Sequence, residues 1–317
     1  MHVCEQSSVV ISSQSGRKQA GFWVFLSVML ALCPIIFASE GLAAVLFVGT
    51  GNDGYFGDVH GLFSALQSVT PLDHLSGSFL FENRSGAEMA TSIHGLGSVL
   101  GPGDTLIWYY SGHGSYASDA NGDESAAGAF AQDAYDESIG LLGDTAPLFD
   151  DGLSNALLTL SQSSVRIITI FDTCYSGGFI GGVNDLNVVS GLTFLASSGE
   201  QEDSYAYDND PFSIFTTGLI NGLQGFDADR DGNGLLTARE WFDYAYDYTV
   251  ESVAGQHPVF YGNDVLIASA RPVPLPGAVW LLGCALLPAS LLCMFRRPGR
   301  MKGASPARCL IDIRSGR

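Results

Sequence analysis

Thr105-Leu-Ile-Trp-Tyr-Tyr110-Ser-Gly-His-Gly114 and Val165-Arg-Ile-Ile-Thr-Ile-Phe171-Asp-Thr-Cys-Tyr-Ser-Gly-Gly178 are two apolar runs, each stopping at a polar, glycine-bearing turn. One turn carries His113, the other Cys174. Continuous apolar runs of this length read as strands buried on both faces, here 105–110 and 165–171. Working outward, 45–48, 78–81 and 192–196 read as further strands. Helices are expected over 61–69, 86–100, 151–160 and 212–223, with Leu62, Leu66 and Val69, and then Met89, Ile93, Leu96 and Leu100, on single faces. Trp241, Tyr244 and Tyr248 share a helical face and read as core. The glycine-rich, acidic stretch 115–138 reads as a mobile loop. This alternation gives an α/β fold: an open sheet with mostly parallel core strands and helices on both faces. In such sheets ligands sit beyond the carboxyl ends of the strands, where His113 and Cys174 both fall.

A thiol attacks a carbonyl as thiolate, so it needs a base within hydrogen-bond reach. Adjacent strands lie about 4.8 Å apart, close enough for a histidine and a cysteine past two neighbouring strand ends to meet. Gly112, Gly114, Gly177 and Gly178 let a substrate backbone approach, and the N–H groups of Gly114 and Cys174 are candidates for an oxyanion hole. The competing reading is a structural cysteine and an unrelated loop histidine.

The chain is 46 % hydrophobic and 15 % charged, with 39 glycines and a formal charge of −19. That is too apolar for a disordered chain. Between Val45 and Pro276 there are 30 Asp and Glu against five Arg and no Lys, a charge of −25. Such a surface excludes nucleic acid as a partner and favours cations, calcium among them.

Both ends are apolar and basic. Arg17 and Lys18 precede an apolar stretch, 22–37, and small residues at Gly41, Ala43 and Ala44, so 1–44 reads as an export signal removed by signal peptidase. A Pro-rich linker, 269–276, leads to the apolar segment 277–295, about 28 Å long as a helix. A basic tail, 296–317, follows. The positive-inside rule keeps that tail in the cytoplasm and the preceding domain outside. Once both ends are set aside, the exported domain, 45–268, retains Cys174 as its only cysteine, a liability in an oxidising compartment unless buried or used.

Three stretches carry resemblances. Val273-Pro-Leu-Pro-Gly-Ala-Val-Trp-Leu-Leu-Gly283, ahead of the basic tail, resembles the PEP-CTERM sorting signal, though it lacks the Glu of Pro-Glu-Pro. That resemblance implies processing by an exosortase and delivery to the surface of a Gram-negative bacterium, with at least transient anchoring in the inner membrane. A plain membrane anchor is the alternative. Tyr110-Ser-Gly-His-Gly114 with Phe171-Asp-Thr-Cys-Tyr-Ser-Gly-Gly178 resembles the caspase and metacaspase superfamily of cysteine peptidases. The resemblance implies that His113 accepts and returns a proton while Cys174 forms an acyl-enzyme.

It also implies that Asp172, Ser111 and, as a weaker match, Asp58 line an acidic pocket, for cleavage after Arg or Lys. Caspases that cut after Asp need arginines to pair with that carboxylate, and none stands near these residues. Asp172 accepting local backbone N–H groups is the plainer reading. Asp150-Asp151 looks like an acidic pair that helps bind activating calcium in metacaspases; alternatively Asp151 caps the helix that follows.

Asp229-Arg-Asp-Gly-Asn-Gly-Leu-Leu-Thr-Ala-Arg-Glu240 fits the twelve-residue EF-hand loop. Its expected ligands are Asp229, Asp231, Asn233, Leu235 through its carbonyl, Thr237 and Glu240. A lone loop of this kind points to a structural Ca2+. Gly49-Thr-Gly-Asn-Asp-Gly54 formally matches a dinucleotide fingerprint, but no acid-ended second strand follows at the right distance. The sequence therefore leads to an exported, metacaspase-type cysteine endopeptidase acting on proteins or peptides. The other readings are a catalytically silent surface module on the same fold, or a latent enzyme released by cutting the loop 115–138 or the region after Gly178; for self-cleavage, Arg84 and Arg271 are the most accessible of the five arginines.

Overall fold

The structure is a computed structural model that describes residues 43–69, 75–119, 121–122, 124 and 134–270. The chain divides into two units, Met1–Arg271 and Pro272–Arg317, and everything described belongs to the first. The expected export signal up to residue 42, the linker from residue 271, the apolar segment 277–295 and the basic tail lie outside the described residues. Among the described residues no helix is long and apolar enough to cross a membrane.

Six strands form the central sheet: β1 (Val45–Gly51), β2 (Leu75–Glu82), β3 (Thr105–Ser111), β7 (Arg166–Asp172), β8 (Leu192–Ala196) and β10 (Val259–Gly262). Their order is β10-β8-β7-β3-β1-β2, with every neighbouring pair parallel except β10 against β8. Side chains alternate faces along a strand, so a sheet covered on both sides needs apolar residues at every position. On β3, Leu106, Trp108 and Tyr110 enter one core while Ile107 and Tyr109 enter the other. Helices α2 (Gly86–Leu96) and α3 (Asp150–Gln162) fill the first core with Met89, Ile93, Leu153 and Leu157. Helices α1 (Phe56–Gln67), α4 (Ile214–Leu223) and α5 (Ala238–Ser252) fill the second. This mixed α/β architecture, a mostly parallel sheet with helices on both faces, is caspase-like.

Helix α5 is pinned by Trp241, which is fully buried and donates its indole N–H to the Leu219 carbonyl at 2.7 Å. Tyr244 and Tyr248, expected in the core beside it, are only partly buried.

Several boundaries differ from expectation. Helix α1 begins five residues before Gly61, while α2 stops at Leu96 rather than Leu100. The larger difference concerns the stretch 115–138, expected as loop. It contributes most of β4 (His113–Ser118) and the start of β5 (Tyr135–Gly140), which pair antiparallel and continue to β6 (Leu148–Phe149). Strand β4 is mostly exposed and β5 buries polar Glu137 and Ser138, so neither strand carries the continuous apolar run that marks β3 and β7. A two-stranded sheet, β9 (Leu235–Thr237) with β11 (Leu266–Ser269), completes the fold and reaches one residue into the expected linker.

Candidate active site and acidic clusters

Strands β3 and β7 run in register, with Tyr110 opposite Phe171 and Ser111 opposite Asp172. Gly112 N–H donates to the Asp172 carbonyl at 3.2 Å and extends the pairing by one residue. His113 and Cys174 thus each stand two residues beyond the same rung, at the carboxyl edge of the sheet. The two turns touch: a Cβ added to Gly114 would lie 2.1 Å from the Cys174 carbonyl oxygen, so only glycine fits there. The Tyr110 hydroxyl reaches the carbonyls of His113 and Gly140, both at 2.9 Å, and anchors the start of β4. His113 itself is exposed, its ring edge-on to Tyr55 with centroids 6.0 Å apart.

Cys174 is half-buried, and its Sγ accepts the Ser204 N–H at 3.4 Å. Burial pushes its thiol pKa up; the Ser204 N–H opposes that shift and the nearby Asp203 adds to it. The resting sulfur is therefore a protonated thiol and needs a base to become a nucleophile.

Asp58, Ser111 and Asp172, predicted to share a pocket, are brought together. The Ser111 hydroxyl donates to Asp58 Oδ2 at 2.6 Å, and Ser213 N–H donates to Asp58 Oδ1 at 3.0 Å. The Ser213 hydroxyl turns to Asp172 Oδ2, which also accepts Thr216 N–H at 3.0 Å and the Thr216 hydroxyl at 2.6 Å. Asp172 Oδ1 accepts the Ser204 hydroxyl at 2.8 Å. Asp172 thus sits at the N-terminus of α4, where exposed N–H groups and the helix dipole favour an anion. Burial pushes the Asp58 carboxyl up to about 7, with the Asp172 charge adding to it.

Ser204, Ser213 and Thr216 were not singled out in the sequence, nor was Gln256. Buried Gln256 donates to the Ser197 carbonyl at 2.9 Å and the Ser204 hydroxyl at 3.1 Å, and accepts Tyr205 N–H at 3.1 Å. These residues, 30 to 82 positions beyond Cys174, join the site only through tertiary docking, so no local pattern marks them.

The described residues also hold two acidic clusters. In the loop 229–240, carboxylate oxygens of Asp229, Asp231 and Glu240 lie within 4.8 Å of one another. Gly234 N–H donates to Asp229 Oδ2 at 2.8 Å, and Leu235 N–H to Asn233 Oδ1 at 2.6 Å. Thr237 caps α5 in a reciprocal capping box with Glu240, and buried Leu236 anchors the loop. In the second cluster, Asp150 and Asp151 meet Asp185 within the same distance, and Asp150 also meets Glu124 and Asp136. Burial, then the Asp185 charge, pushes the Asp150 carboxyl up to about 8. Asp185, Asp136 and Glu124 had no match in the sequence reading. Asp151 does not cap α3, whose N-cap is Phe149 with no side-chain bond. Arg84, expected to be open to cleavage, has its backbone N–H and carbonyl both bonded to the Asn52 side chain.

The family model described as metacaspase, peptidase C14 domain matches residues 69–182. That span contains both His113 and Cys174. It is metacaspase-like. Metacaspase-1B of Neurospora crassa is 30% identical over 139 residues, 39% of this chain and 31% of that protein. Metacaspase-1 of Mycosarcoma maydis is 30% identical over 144 residues, 41% of this chain and 34% of its own length. Metacaspase-1A of Aspergillus oryzae is 26% identical over 156 residues, 44% of this chain and 36% of that protein. The chain thus spans about a third of the length of the curated relatives it matches. A solved protein of Geobacter sulfurreducens covers 73% of this chain and 95% of its own at 18% identity and a TM-score of 0.45. The family model and the metacaspase relatives support a caspase- or metacaspase-like peptidase. The loop 229–240 and the pocket residue Asp58 lie outside the matched span.

Proposed function

We propose that this chain is an exported cysteine endopeptidase that cleaves proteins after Arg or Lys. The observation that carries the reading is the level placement of His113 and Cys174 past the paired ends of β3 and β7. His113 takes the Sγ proton, the thiolate adds to the scissile carbonyl, and the oxyanion that forms is received by the N–H groups of Gly114 and Cys174. His113 then returns the proton to the leaving amine, and water hydrolyses the acyl-enzyme. Asp58 and Asp172, with no Arg or Lys bonded to either among the described residues, offer a cationic side chain two carboxylates in a low-dielectric setting.

Calcium fits both acidic clusters, whose hard carboxylate oxygens are the donors Ca2+ prefers. Asp229, Asp231, Asn233, Leu235, Thr237 and Glu240 would hold a structural ion. Asp150 and Asp151 with Asp185 would hold a second one close to the cysteine strand, the position expected of an activating ion. Both ions supply charge neutralisation to clusters of like charge. Export rests on the two apolar ends, with signal peptidase and an exosortase as the processing enzymes and a Gram-negative cell surface as the destination.

A latent form of the same enzyme is the second reading. It is favoured by the Ser204 N–H on Sγ and by a thiol held protonated. Turnover of coumarin amides of Arg, Lys and Asp, with calcium and with chelator, tests both readings. Activity on Arg and Lys is expected, and its appearance only after proteolysis would select the latent form.

A further inference from the structure

When Sγ attacks, the S–C bond forms and the C–N bond breaks, and the proton His113 took from the thiol goes to the departing nitrogen. The leaving peptide therefore begins beside His113, while the Arg or Lys side chain of the acyl half turns toward Asp58 and Asp172. Next to His113 lies a groove of about 380 Å³, lined among others by Tyr116, Ile139, Leu142, Pro147 and Phe149. Building on the peptidase reading, we propose that this groove is the subsite for the residue just after the cut, and that it takes an aromatic or large apolar side chain.

Ser115, Ser138 and Asp144 share the lining with these apolar residues, two of which face solvent. Tyr116 is 49% exposed and Leu142 75% exposed, so both present surface that the fold itself does not bury. The Tyr116 ring meets those of Tyr135 at 4.8 Å and Tyr175 at 4.9 Å, both edge-on. Tyr175 directly follows the nucleophile and holds φ at 60°, a left-handed conformation that is uncommon outside glycine. Its N–H is fixed to the Glu202 carbonyl at 2.8 Å. The aromatic row thus starts at the residue after Cys174 and runs along β4 and β5.

The rim is preformed. Leu142 N–H donates to Asp53 Oδ2 at 2.8 Å, and the Asp144 carboxylate accepts Gly86 N–H at 2.9 Å and Ala146 N–H at 3.0 Å. A groove walled in part by Tyr116, Leu142 and Phe149, with a fixed rim, receives an apolar side chain without first ordering itself. Asp144 in the lining, and the acidic domain around it, disfavour an acidic residue after the cut.

The test is binding to the full-length Cys174→Ala chain in mild detergent, read by anisotropy of labelled peptides that differ only in the residue after Arg. Phe is expected to bind about tenfold tighter than Gly or Asp, and Tyr116→Ala or Leu142→Ala to bring that ratio below about threefold. Tyr116→Phe is expected to keep the preference. Equal affinities for Phe and Gly, no binding of the Phe peptide at about millimolar concentration, or an unchanged ratio in both alanine variants would overturn the inference. Turnover of an Arg-coumarin amide by the Cys174 chain separates the two ideas, because that substrate has no leaving peptide. Turnover without a Phe preference removes only the groove; a Phe preference without turnover removes the peptidase reading and the subsite with it, leaving a peptide-binding groove.

Discussion

Asp58 and Cys174 show how the surroundings of a single side chain set its chemistry. Asp58 shares a buried serine- and threonine-lined site with Asp172, and its carboxyl is raised to about 7. A raised folded-state pKa contributes stability that is full below the unfolded value, near pH 4, and is lost as pH rises through about 7. Asp58→Asn is therefore expected to match the wild-type Tm near pH 4 and to exceed it at pH 8, by a margin worth on the order of a few kcal/mol. Thermal unfolding of both proteins across that range checks this, and a constant difference at all pH values would contradict it. The same variant is expected to lose affinity for an Arg peptide, so the pocket trades stability for cation binding. For Cys174 the raised thiol makes His113 necessary. His113→Ala is expected to lose about 10² to 10⁴ in kcat, with the loss shrinking at alkaline pH as the thiol ionises unaided.

Elements divide into those legible from the chain and those that are not. Strands β1, β3, β7 and β8 are buried on both faces, so their apolar runs announced them, and the register of β3 on β7 then placed His113 level with Cys174. Strand β4 is mostly exposed and β5 buries Glu137 and Ser138 beside Ile139, so neither shows an apolar run and their pairing comes from tertiary position rather than local pattern. The acidic pocket was half legible. Ser111 and Asp172 lie on the sequence motifs, but Ser213 and Thr216 come from the start of α4 and Ser204 from the turn before it. Calcium was similarly divided: the loop 229–240 is one contiguous motif, whereas Asp185 joins Asp150 and Asp151 only in the folded chain.

The two clusters are expected to behave differently. Glu240→Gln should abolish a calcium-dependent rise in Tm at the loop whose strand β9 pairs with β11. Asp185→Asn should remove calcium-dependent turnover while leaving most of that rise. Paired calorimetry and activity titrations decide, and identical effects of the two variants would contradict separate roles.

The whole molecule sets the cysteine site in a stretch, 45–276, of charge −25. Like charge over the whole surface steers cationic peptides toward the site and repels acidic ones, an effect that salt screens over about 8–10 Å. For an Arg substrate, kcat/KM is accordingly expected to fall as salt rises from 20 to about 300 mM through weaker binding, with kcat nearly constant. Stopped-flow or fluorogenic kinetics across that series measures it, and a salt-independent kcat/KM would contradict long-range steering. The proposed export is checked by intact-mass analysis of the chain recovered from cell surface or medium. A mature N-terminus at Ala44 or Val45 is expected, and a chain retaining residue 1 in the cytoplasm would contradict export.

The central claim is that Cys174 and His113 hydrolyse peptide bonds after a basic residue. Its most direct test is turnover of fluorogenic Arg, Lys and Asp amides by the full chain, beside Cys174→Ala and after limited proteolysis. The account expects cleavage after Arg and Lys, none after Asp, and complete loss in the variant. A folded chain that cleaves none of the three, before or after proteolysis and with calcium present, would contradict it.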